Sequence, residues 1–452
     1  MNSSLILINP WIYDFAAFDL WSKPLGLLTL AGSLRNLGFR IHLVDCLDVH
    51  HPGMQEGSRM KRPVRRAYGT GKYWRQKISP PEPLRGIERP YSRYGILPGV
   101  LEKELAQVQQ PAAILITSHM TYWYPGVREV IALVRRIHPG VPVILGGIYA
   151  ALCRDHATRV SGADRVVGGA PVEALLSLLK EYGITAPRPE AASTRQRYPA
   201  FDLLGGIDYI CILTSTGCPF RCRYCASHFL APEFIRRAPG EILDEILYWH
   251  REFAIRDFAF YDDALLVEFD THLSPLLEGL ARRGLTLRFH TPNAVHASEI
   301  TSEIAGLMHR TGFRTLRLGL ETSDFSFRRD LDDKISRGDF ERAVRCLLQA
   351  GFPSHRIGAY ILTGLPGQTV SSVKKTIQLV AKAGAIPFLA EYSPIPHTPL
   401  WEKAKASSEY DLSEPLFHNN SLLPCWDEGE RKQFSRLKAL VREVRNRYRH
   451  AS

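Results

Sequence analysis

The stretch Thr216-Gly217-Cys218-Pro219-Phe220-Arg221-Cys222-Arg223-Tyr224-Cys225 brings three cysteines together near the middle of the 452-residue chain. Their spacing is C-x3-C-x2-C, and an aromatic residue, Tyr224, stands just before the last cysteine. Three thiolates on one short loop can bind three irons of a four-iron four-sulfur (4Fe-4S) cluster and leave the fourth iron without a protein ligand. Such an open coordination position is a place for chemistry, as it is on a catalytic zinc ion.

A zinc knuckle is the alternative interpretation of the same loop. Zinc would require a fourth Cys or His at short spacing, and His228 follows Cys225 by three residues, so the string can also be read as a Cys3His site. The five other cysteines (46, 153, 211, 346 and 425) are scattered singly, unlike a secreted disulfide framework. We interpret them as small buried hydrophobic residues, and we expect a cytoplasmic protein because an oxygen-sensitive cluster suits a reducing compartment.

Composition and charge narrow the class of protein. No stretch approaches the ~18 uncharged apolar residues of a membrane span, and the N-terminus lacks the charge and the apolar run of a signal peptide. The net charge is +11, and the segment from Arg59 to Arg93 supplies most of it, with eleven Lys/Arg against two Glu. That segment could bind nucleic acid, close over an active site and hold an anionic substrate, or form a solvated surface loop.

Strand and helix signals alternate along the chain and predict an α/β protein of two domains. Residues 1–185 read as a doubly wound, Rossmann-like domain with a basic insertion at about 49–100. A polar linker at 186–204 follows, and 405–452 reads as a basic helical tail. Between them, 205–404 carries six strand–helix units, which predict a partial (β/α)6 barrel with its site at the carboxyl ends of the strands.

The cysteine loop and the strand ends that follow it resemble the radical S-adenosylmethionine (radical SAM) superfamily. In that family the open iron chelates the methionine part of S-adenosylmethionine, and the reduced cluster cleaves it to a 5'-deoxyadenosyl radical. The resemblance makes Cys218, Cys222 and Cys225 the cluster ligands. It also implies that four residues in or near the cluster loop and strand ends contact S-adenosylmethionine: Tyr224, Asp262, Asp263 and Glu321.

Further strand-end segments carry the same resemblance. Gly319-Leu320-Glu321-Thr322 is similar to the Gly-x-Glu-Ser segment whose Glu would accept hydrogen bonds from the ribose. Gly364-Leu365-Pro366-Gly367-Gln368 is similar to a glycine-proline turn of one subgroup. Residues His290, Tyr360 and Tyr392 could reach a substrate, although inward-facing aromatic side chains of a barrel usually serve packing.

The N-terminal domain resembles the cobalamin-binding domain that precedes the radical domain in one large subgroup. By this resemblance Ser118, Gly146 and Gly147 would contact the nucleotide tail of cobalamin. The string Asp48-Val49-His50-His51-Pro52-Gly53 matches the Asp-x-His-x-x-Gly pattern of a cobalt ligand, but it follows the second strand rather than the first. We therefore do not take His50 as a cobalt ligand, and we expect water or an open position on the lower cobalt face.

These observations predict a cobalamin-dependent radical SAM enzyme, most simply a methyltransferase acting on an unactivated carbon. One alternative is non-methylating radical chemistry with a vestigial cobalamin domain. Another is a non-catalytic iron–sulfur or nucleic-acid-binding protein. A tRNA methylthiotransferase would need three N-terminal cysteines for a second cluster, and only Cys46 and Cys153 precede residue 205. Expected partners are a small-molecule or peptide substrate and an electron donor such as flavodoxin or ferredoxin, with nucleic acid not favoured.

Overall fold

The structure is a computed structural model that describes residues 4–55, 60–169, 171–187 and 198–450. Within it the chain forms two compact units, Met1–Asp208 and Tyr209–Ser452. Most of the predicted linker, 188–197, lies outside the described residues, as do 56–59 of the basic insertion. The α/β fold class is confirmed for both units.

The first unit is built on a five-stranded parallel sheet with the order β10-β9-β8-β1-β4. This order is that of a doubly wound fold, in which ligands bind beside the carboxyl ends of the strands where the strand order reverses. Every residue of β1, an interior strand of the sheet, is buried, as expected when helices cover both faces of a parallel sheet. The strands of this unit are β1 (Ser4–Asn9), β2 (Ile12–Asp14), β3 (Phe18–Asp19), β4 (Arg40–Asp45), β5 (Gly71–Lys72), β6 (Arg75–Ile78), β7 (Tyr91–Tyr94), β8 (Ala113–Ile116), β9 (Val143–Leu145) and β10 (Arg165–Val166).

Seven α-helices lie in the described residues of the first unit, and the longest, α4, buries its apolar residues while it exposes polar ones. In chain order the helices are α1 (Leu25–Asn36), α2 (Pro52–Gln55), α3 (Pro98–Gln107), α4 (Tyr124–Ile137), α5 (Ile148–Leu152), α6 (Arg154–Val160) and α7 (Val172–Glu181).

The basic insertion is folded rather than a simple surface loop. Its strands β6 and β7 extend an antiparallel sheet with β2, and β5 pairs with β3. Four of its aromatic residues are nearly inaccessible to solvent and form core: Tyr73, Trp74, Tyr91 and Tyr94. Because these four rings are buried, they cannot stack on exposed bases, and of the aromatic residues described in the insertion only Tyr68 is partly exposed.

The second unit contains six parallel strands in sequential order, β11-β14-β15-β17-β18-β19, and β16 pairs beside β17. This arrangement confirms the partial barrel, since each of the first five of these strands is followed by a helix before the next. The strands are β11 (Ile210–Ile212), β12 (Ser215–Thr216), β13 (Ile235–Arg236), β14 (Asp257–Phe260), β15 (Arg288–His290), β16 (Val295–His296), β17 (Phe313–Glu321), β18 (Ile357–Thr363) and β19 (Ile386–Glu391).

The helical tail packs on the last strand–helix pair of the barrel. Arg445 donates to the carbonyl of Pro387 at the start of β19, and Tyr448 donates to Ala381 in α14. In the parts of the chain that the structure describes, no helix is both long and apolar enough to cross a membrane. The helices are α8 (Ser227–Leu230), α9 (Pro239–Phe253), α10 (Leu273–Ala281), α11 (Ser302–Arg310), α12 (Phe325–Arg328), α13 (Asp339–Gln349), α14 (Val370–Ala383), α15 (Trp401–Ser407) and α16 (Glu428–His450).

Candidate active site and cofactor sites

The cysteine loop follows β11 and β12 at the carboxyl end of the barrel, and the fold fixes it at two points. Gly217 opens it with φ +75°, and a Cβ there would lie 2.2 Å from the carbonyl oxygen of Glu233, so only glycine fits without a shift. Further along, the amide of Arg223 donates to Leu331 and its carbonyl accepts from Leu400. The loop geometry therefore depends on segments far away in sequence.

The three loop cysteines fit a cluster better than a single metal ion. Cys218, Cys222 and Cys225 are free thiols and all are partly exposed. Among the described residues, no three His, Cys, Asp or Glu side chains converge as ligands of one ion. His228, the fourth ligand of the zinc alternative, has its Nε2 hydrogen-bonded to the carbonyl of Phe220 at 2.7 Å. A cluster takes one thiolate per iron, so its ligands stand farther apart than those of zinc.

Two neighbouring acids after β14, Asp262 and Asp263, have different surroundings. Asp262 is buried and accepts four hydrogen bonds, from the amides and hydroxyls of Thr214 and Ser215 at 2.6–3.0 Å. Asp263 is exposed and accepts from the hydroxyl of Ser227 at 2.7 Å. Asp262 thus fixes the end of β11, and Asp263 is the carboxylate accessible to a ligand.

Ser227 connects Asp263 to the cluster loop, and the sequence reasoning missed it. Its amide donates to the sulfur of Cys225 at 3.4 Å, and its hydroxyl lies 3.1 Å from the same sulfur. Hydrogen bonds to a ligating sulfur tune the electronics of a cluster. The signal in the sequence was only the position of a serine two residues after the last cysteine.

Glu321, at the carboxyl end of β17, forms a buried ion pair that was not predicted. Lys334 places its Nζ 2.7 Å from Glu321 Oε1 and 2.8 Å from the hydroxyl of Tyr224. Side chains of Lys334 and Glu321 are 8% and 7% exposed, and the acidic groups around the ammonium raise the pKa of Lys334 despite its burial. The lysine is thus a fixed cation between the strand end and the cluster loop.

The same contacts reach one of the cysteines. The hydroxyl of Tyr224 also interacts with the thiol of Cys222. Burial raises the pKa of Cys222 to about 12, and the charge of Lys334 opposes that rise. These contacts link four side chains in a chain, which we call the lysine bridge: Glu321, Lys334, Tyr224 and Cys222. Glu321 adopts φ +57°, a strained conformation for a residue with a side chain.

The three proposed substrate-facing residues differ in access. His290 is fully buried, between Asp257 and the hydroxyl of Thr315, and this leaves no ring nitrogen for a substrate. Tyr392 is also buried, in a hydrophobic cluster. Only Tyr360 is partly accessible, with its hydroxyl donating to the carbonyl of Pro292 at 2.8 Å.

In the first unit, Ser118 and the glycine pair join the ends of two neighbouring strands, β8 and β9. The hydroxyl of Ser118 donates to the carbonyl of Gly146 at 2.6 Å and accepts from the amide of Ala150 at 3.2 Å. Gly147 has φ +91°, and a Cβ there would lie 2.2 Å from the carbonyl oxygen of Ser118. The three residues predicted to contact cobalamin therefore lie together at the carboxyl edge of the sheet.

The surface at this edge suits a large, partly apolar ligand. Loops that follow β1, β8 and β9 expose Phe18, Leu20, Met120 and Ile148 by 39–52%. His119, which the sequence reasoning missed, lies beside Ser118, and burial lowers its pKa to about 4. The glycines and the exposed apolar side chains fit cobalamin.

His50 has a structural partner. Its Nε2 lies 2.8 Å from Asp208, while Asp48 accepts a hydrogen bond from the amide of Gly205 at 2.8 Å. The Asp-x-His-x-x-Gly string therefore anchors residues 205–208 to the loop after β4. This geometry agrees with the expectation that His50 does not ligate cobalt.

Comparisons with known proteins match both halves of the chain. The radical SAM superfamily model matches residues 212–380, and the B12 binding domain model matches residues 101–178. A relative described as an uncharacterized methyltransferase of Pyrococcus horikoshii is 25% identical over 334 residues, which span 66% of this chain and 70% of that protein.

Solved structures share the arrangement of the fold. The radical S-adenosylmethionine methyltransferase TsrM of Kitasatospora setae, solved with tryptophan substrate and a SAM analogue, is similar with a TM-score of 0.64. The match covers 90% of this chain and 77% of TsrM at 17% identity. The cobalamin-dependent radical enzyme OxsB gives a TM-score of 0.57 at 13% identity, covering 89% of this chain and 55% of OxsB. The chain is therefore a radical SAM enzyme whose radical SAM domain follows a B12-binding domain.

Proposed function

We propose that this enzyme is a cobalamin-dependent radical SAM methyltransferase that methylates an unactivated carbon of a small molecule. The observation that carries the proposal is the lysine bridge, which ties the cluster loop to Glu321 in a chain that also has a B12-binding domain. The methyltransferase description of the Pyrococcus relative and of TsrM supports the methyl-transfer part.

The bound cofactors would supply the radical and the methyl group, and the protein would supply binding, orientation and electrostatics. Cys218, Cys222 and Cys225 would hold the cluster. Tyr224, Glu321 and Asp263 would contact S-adenosylmethionine, with Lys334 holding the carboxylate of Glu321 in place. Ser118, Gly146 and Gly147 would receive the nucleotide tail of cobalamin, with the exposed apolar side chains of the sheet edge beside it.

The substrate and partners follow from the same proposal. TsrM was solved with tryptophan, so a small-molecule substrate is the natural choice here, and the basic insertion favours an anionic one. One-electron reduction of the cluster requires a donor, for which flavodoxin or ferredoxin would serve in the cytoplasm. Methylthio transfer is not favoured, because only Cys46 and Cys153 precede residue 205, and burial raises the pKa of Cys46 well above the usual value.

The test is the cofactor content and product pattern of the protein purified without oxygen from cells supplied with cobalamin. We expect one four-iron cluster and near-stoichiometric cobalamin, with 5'-deoxyadenosine formed after reduction. Cys222→Ser should abolish the cluster and 5'-deoxyadenosine together. A cluster without cobalamin, even after reconstitution, would move the assignment to non-methylating radical chemistry, and a full cluster without 5'-deoxyadenosine would favour a non-catalytic protein.

A further inference from the structure

One face of the barrel sheet carries a cationic side chain that the proposed cofactor chemistry does not use. Leu316 and Leu318 of β17 are fully buried, so Arg317 and Gly319 point to the opposite face. Gly319 lies against the lysine bridge, because a Cβ there would stand 3.0 Å from Glu321 Oε1. In parallel register, Arg317 pairs with Gly358 and Gly319 with Tyr360, so these residues share the inner face of the barrel.

Arg317 has aromatic neighbours and no acidic one. Its guanidinium lies 4.0 Å from the centre of the Phe388 ring, interacts with the hydroxyl of Tyr360, and donates to the carbonyl of Leu316 at 2.9 Å. Within the described ranges no carboxylate forms an ion pair with it. Asp257 on β14 forms its ion pair with Arg288, and Glu321 on the same strand as Arg317 forms its ion pair with Lys334.

The guanidinium is desolvated but still accessible. Burial lowers the pKa of Arg317, yet the side chain stays partly exposed, as are Tyr360 and Phe388. The Arg317 side chain is therefore largely desolvated but still within reach of solvent. An arginine stays charged even there, and a desolvated charge without a counter-ion is costly unless an anion can join it.

Gly358 makes room for this arrangement. A Cβ at this position would lie 2.8 Å from Nη1 of Arg317 and 2.8 Å from Cε2 of Phe388. A second guanidinium, that of Arg445, lies 4.2 Å from the same Phe388 ring. Two guanidinium groups therefore contact this ring, and the absence of a side chain at Gly358 lets Arg317 and Phe388 pack directly against the strand backbone.

We propose that Arg317 binds an anionic group of the substrate, a carboxylate or a phosphate, inside the barrel. The planar guanidinium matches both groups with two parallel hydrogen bonds, and Phe388 and Tyr360 offer apolar surface beside it. Arg317 precedes Glu321 by four residues of one strand, or about 13 Å at roughly 3.3 Å per residue. A substrate anchored at Arg317 would extend along the barrel toward Glu321. This inference rests on the proposed function, since it assumes a substrate in the barrel.

The test is calorimetric titration of the cluster-loaded full chain with three probes of similar shape. Benzoate and phenylphosphonate carry the two anionic groups, and benzyl alcohol is the neutral control. We expect saturable binding of at least one anion, weakened about tenfold or more in Arg317→Met, because charge-assisted paired hydrogen bonds are lost. The preferred anion distinguishes a carboxylate substrate from a phosphate one.

Arg442→Met is the matched control, since it removes one positive charge from α16 in a groove lined by Leu389 and Lys438. It should leave anion affinity within about twofold, because exposed charges are screened. Arg317→Lys, with the charge kept and the paired geometry lost, should give an intermediate affinity and serves if the Met variant does not fold.

Equal affinity in wild type and Arg317→Met would overturn the proposal, as would an equal loss in Arg442→Met or no saturable anion binding by the wild type. The titration needs no turnover, so its failure is separate from failure of the proposed function. In that case 5'-deoxyadenosine would still form while the anions fail to bind.

Discussion

The two cofactor regions are organised in opposite ways. Around the cluster loop, the polar side chains are engaged with each other, through the lysine bridge, Asp262 and Ser227. At the sheet edge of the first unit, the features are backbone space at Gly147 and exposed apolar side chains such as Met120. A charged cosubstrate needs fixed partners, whereas a large cofactor needs room and surface. Substitutions should therefore have sharp effects in the barrel and graded ones at the sheet edge.

The sharpest test of this contrast is Lys334→Met, which leaves Glu321 buried without its cation. We expect the free energy of unfolding to fall by about 3–5 kcal/mol in urea titrations, because a lone buried charge is uncompensated. S-adenosylmethionine cleavage should be lost as well. The double variant Lys334→Met/Glu321→Gln should recover part of the stability, and a single-variant loss below about 1 kcal/mol would contradict the account.

The pH dependence of the same pair has a definite sign. The folded-state pKa of Lys334 is raised above that of the unfolded chain, so the pair stabilises fully below about pH 10, the usual lysine range. That stability is lost as the pH rises through the raised pKa. The difference in unfolding free energy between the wild type and Lys334→Met should therefore be constant near neutral pH and decrease in strong alkali.

Substitutions of the two acids after β14 should have intermediate effects on stability that differ between the two positions. Asp262→Asn puts an amide where four donors converge and should cost about 2–3 kcal/mol of unfolding free energy. Asp263→Asn should cost less than about 1 kcal/mol, because the side chain is exposed, but it should weaken S-adenosylmethionine binding. Denaturation and equilibrium dialysis measure the two quantities. Equal losses of unfolding free energy in the two variants would contradict the assignment of Asp262 as structural and Asp263 as ligand-facing.

The smallest effects are expected at the sheet edge. Ser118→Ala removes hydrogen bonds to Gly146 and Ala150 and should lower cobalamin retention severalfold, with a loss of about 1–2 kcal/mol. His50→Ala should leave cobalamin stoichiometry unchanged, since His50 is bound to Asp208. Absorbance of the purified variants measures retention. Loss of cobalamin in His50→Ala, with Ser118→Ala unaffected, would reverse the two roles.

Local patterns were sufficient to predict both sheets and the position of the cluster loop. Apolar runs such as Leu5–Ile8 and the cysteine spacing are short-range signals, and the structure has the strands where these signals stand. The insertion was harder, because β7 pairs with β2 across about eighty residues and no local pattern encodes that pairing.

The residues of the candidate site could be predicted only where they belong to one local sequence motif. Lys334 and Tyr224 are 110 positions apart in the sequence, so no local sequence pattern predicts their contact. Asp262 and Asp263 are identical in type and adjacent, and only the path of β11 decides which one is buried. Arg317 reads as an ordinary strand residue until the register places Gly358 and Phe388 around it.

The two anchors of Arg223 have a consequence for biogenesis. The backbone amide of Leu400 makes the second hydrogen bond that anchors the cluster loop at Arg223. Leu400 follows β19, the last strand of the barrel. A nascent chain whose cysteines have left the ribosome, but whose β19 has not, lacks that anchor. Iron would then meet thiols on a loop without its final shape, so loading of the metal belongs to the end of synthesis, when the whole barrel has emerged.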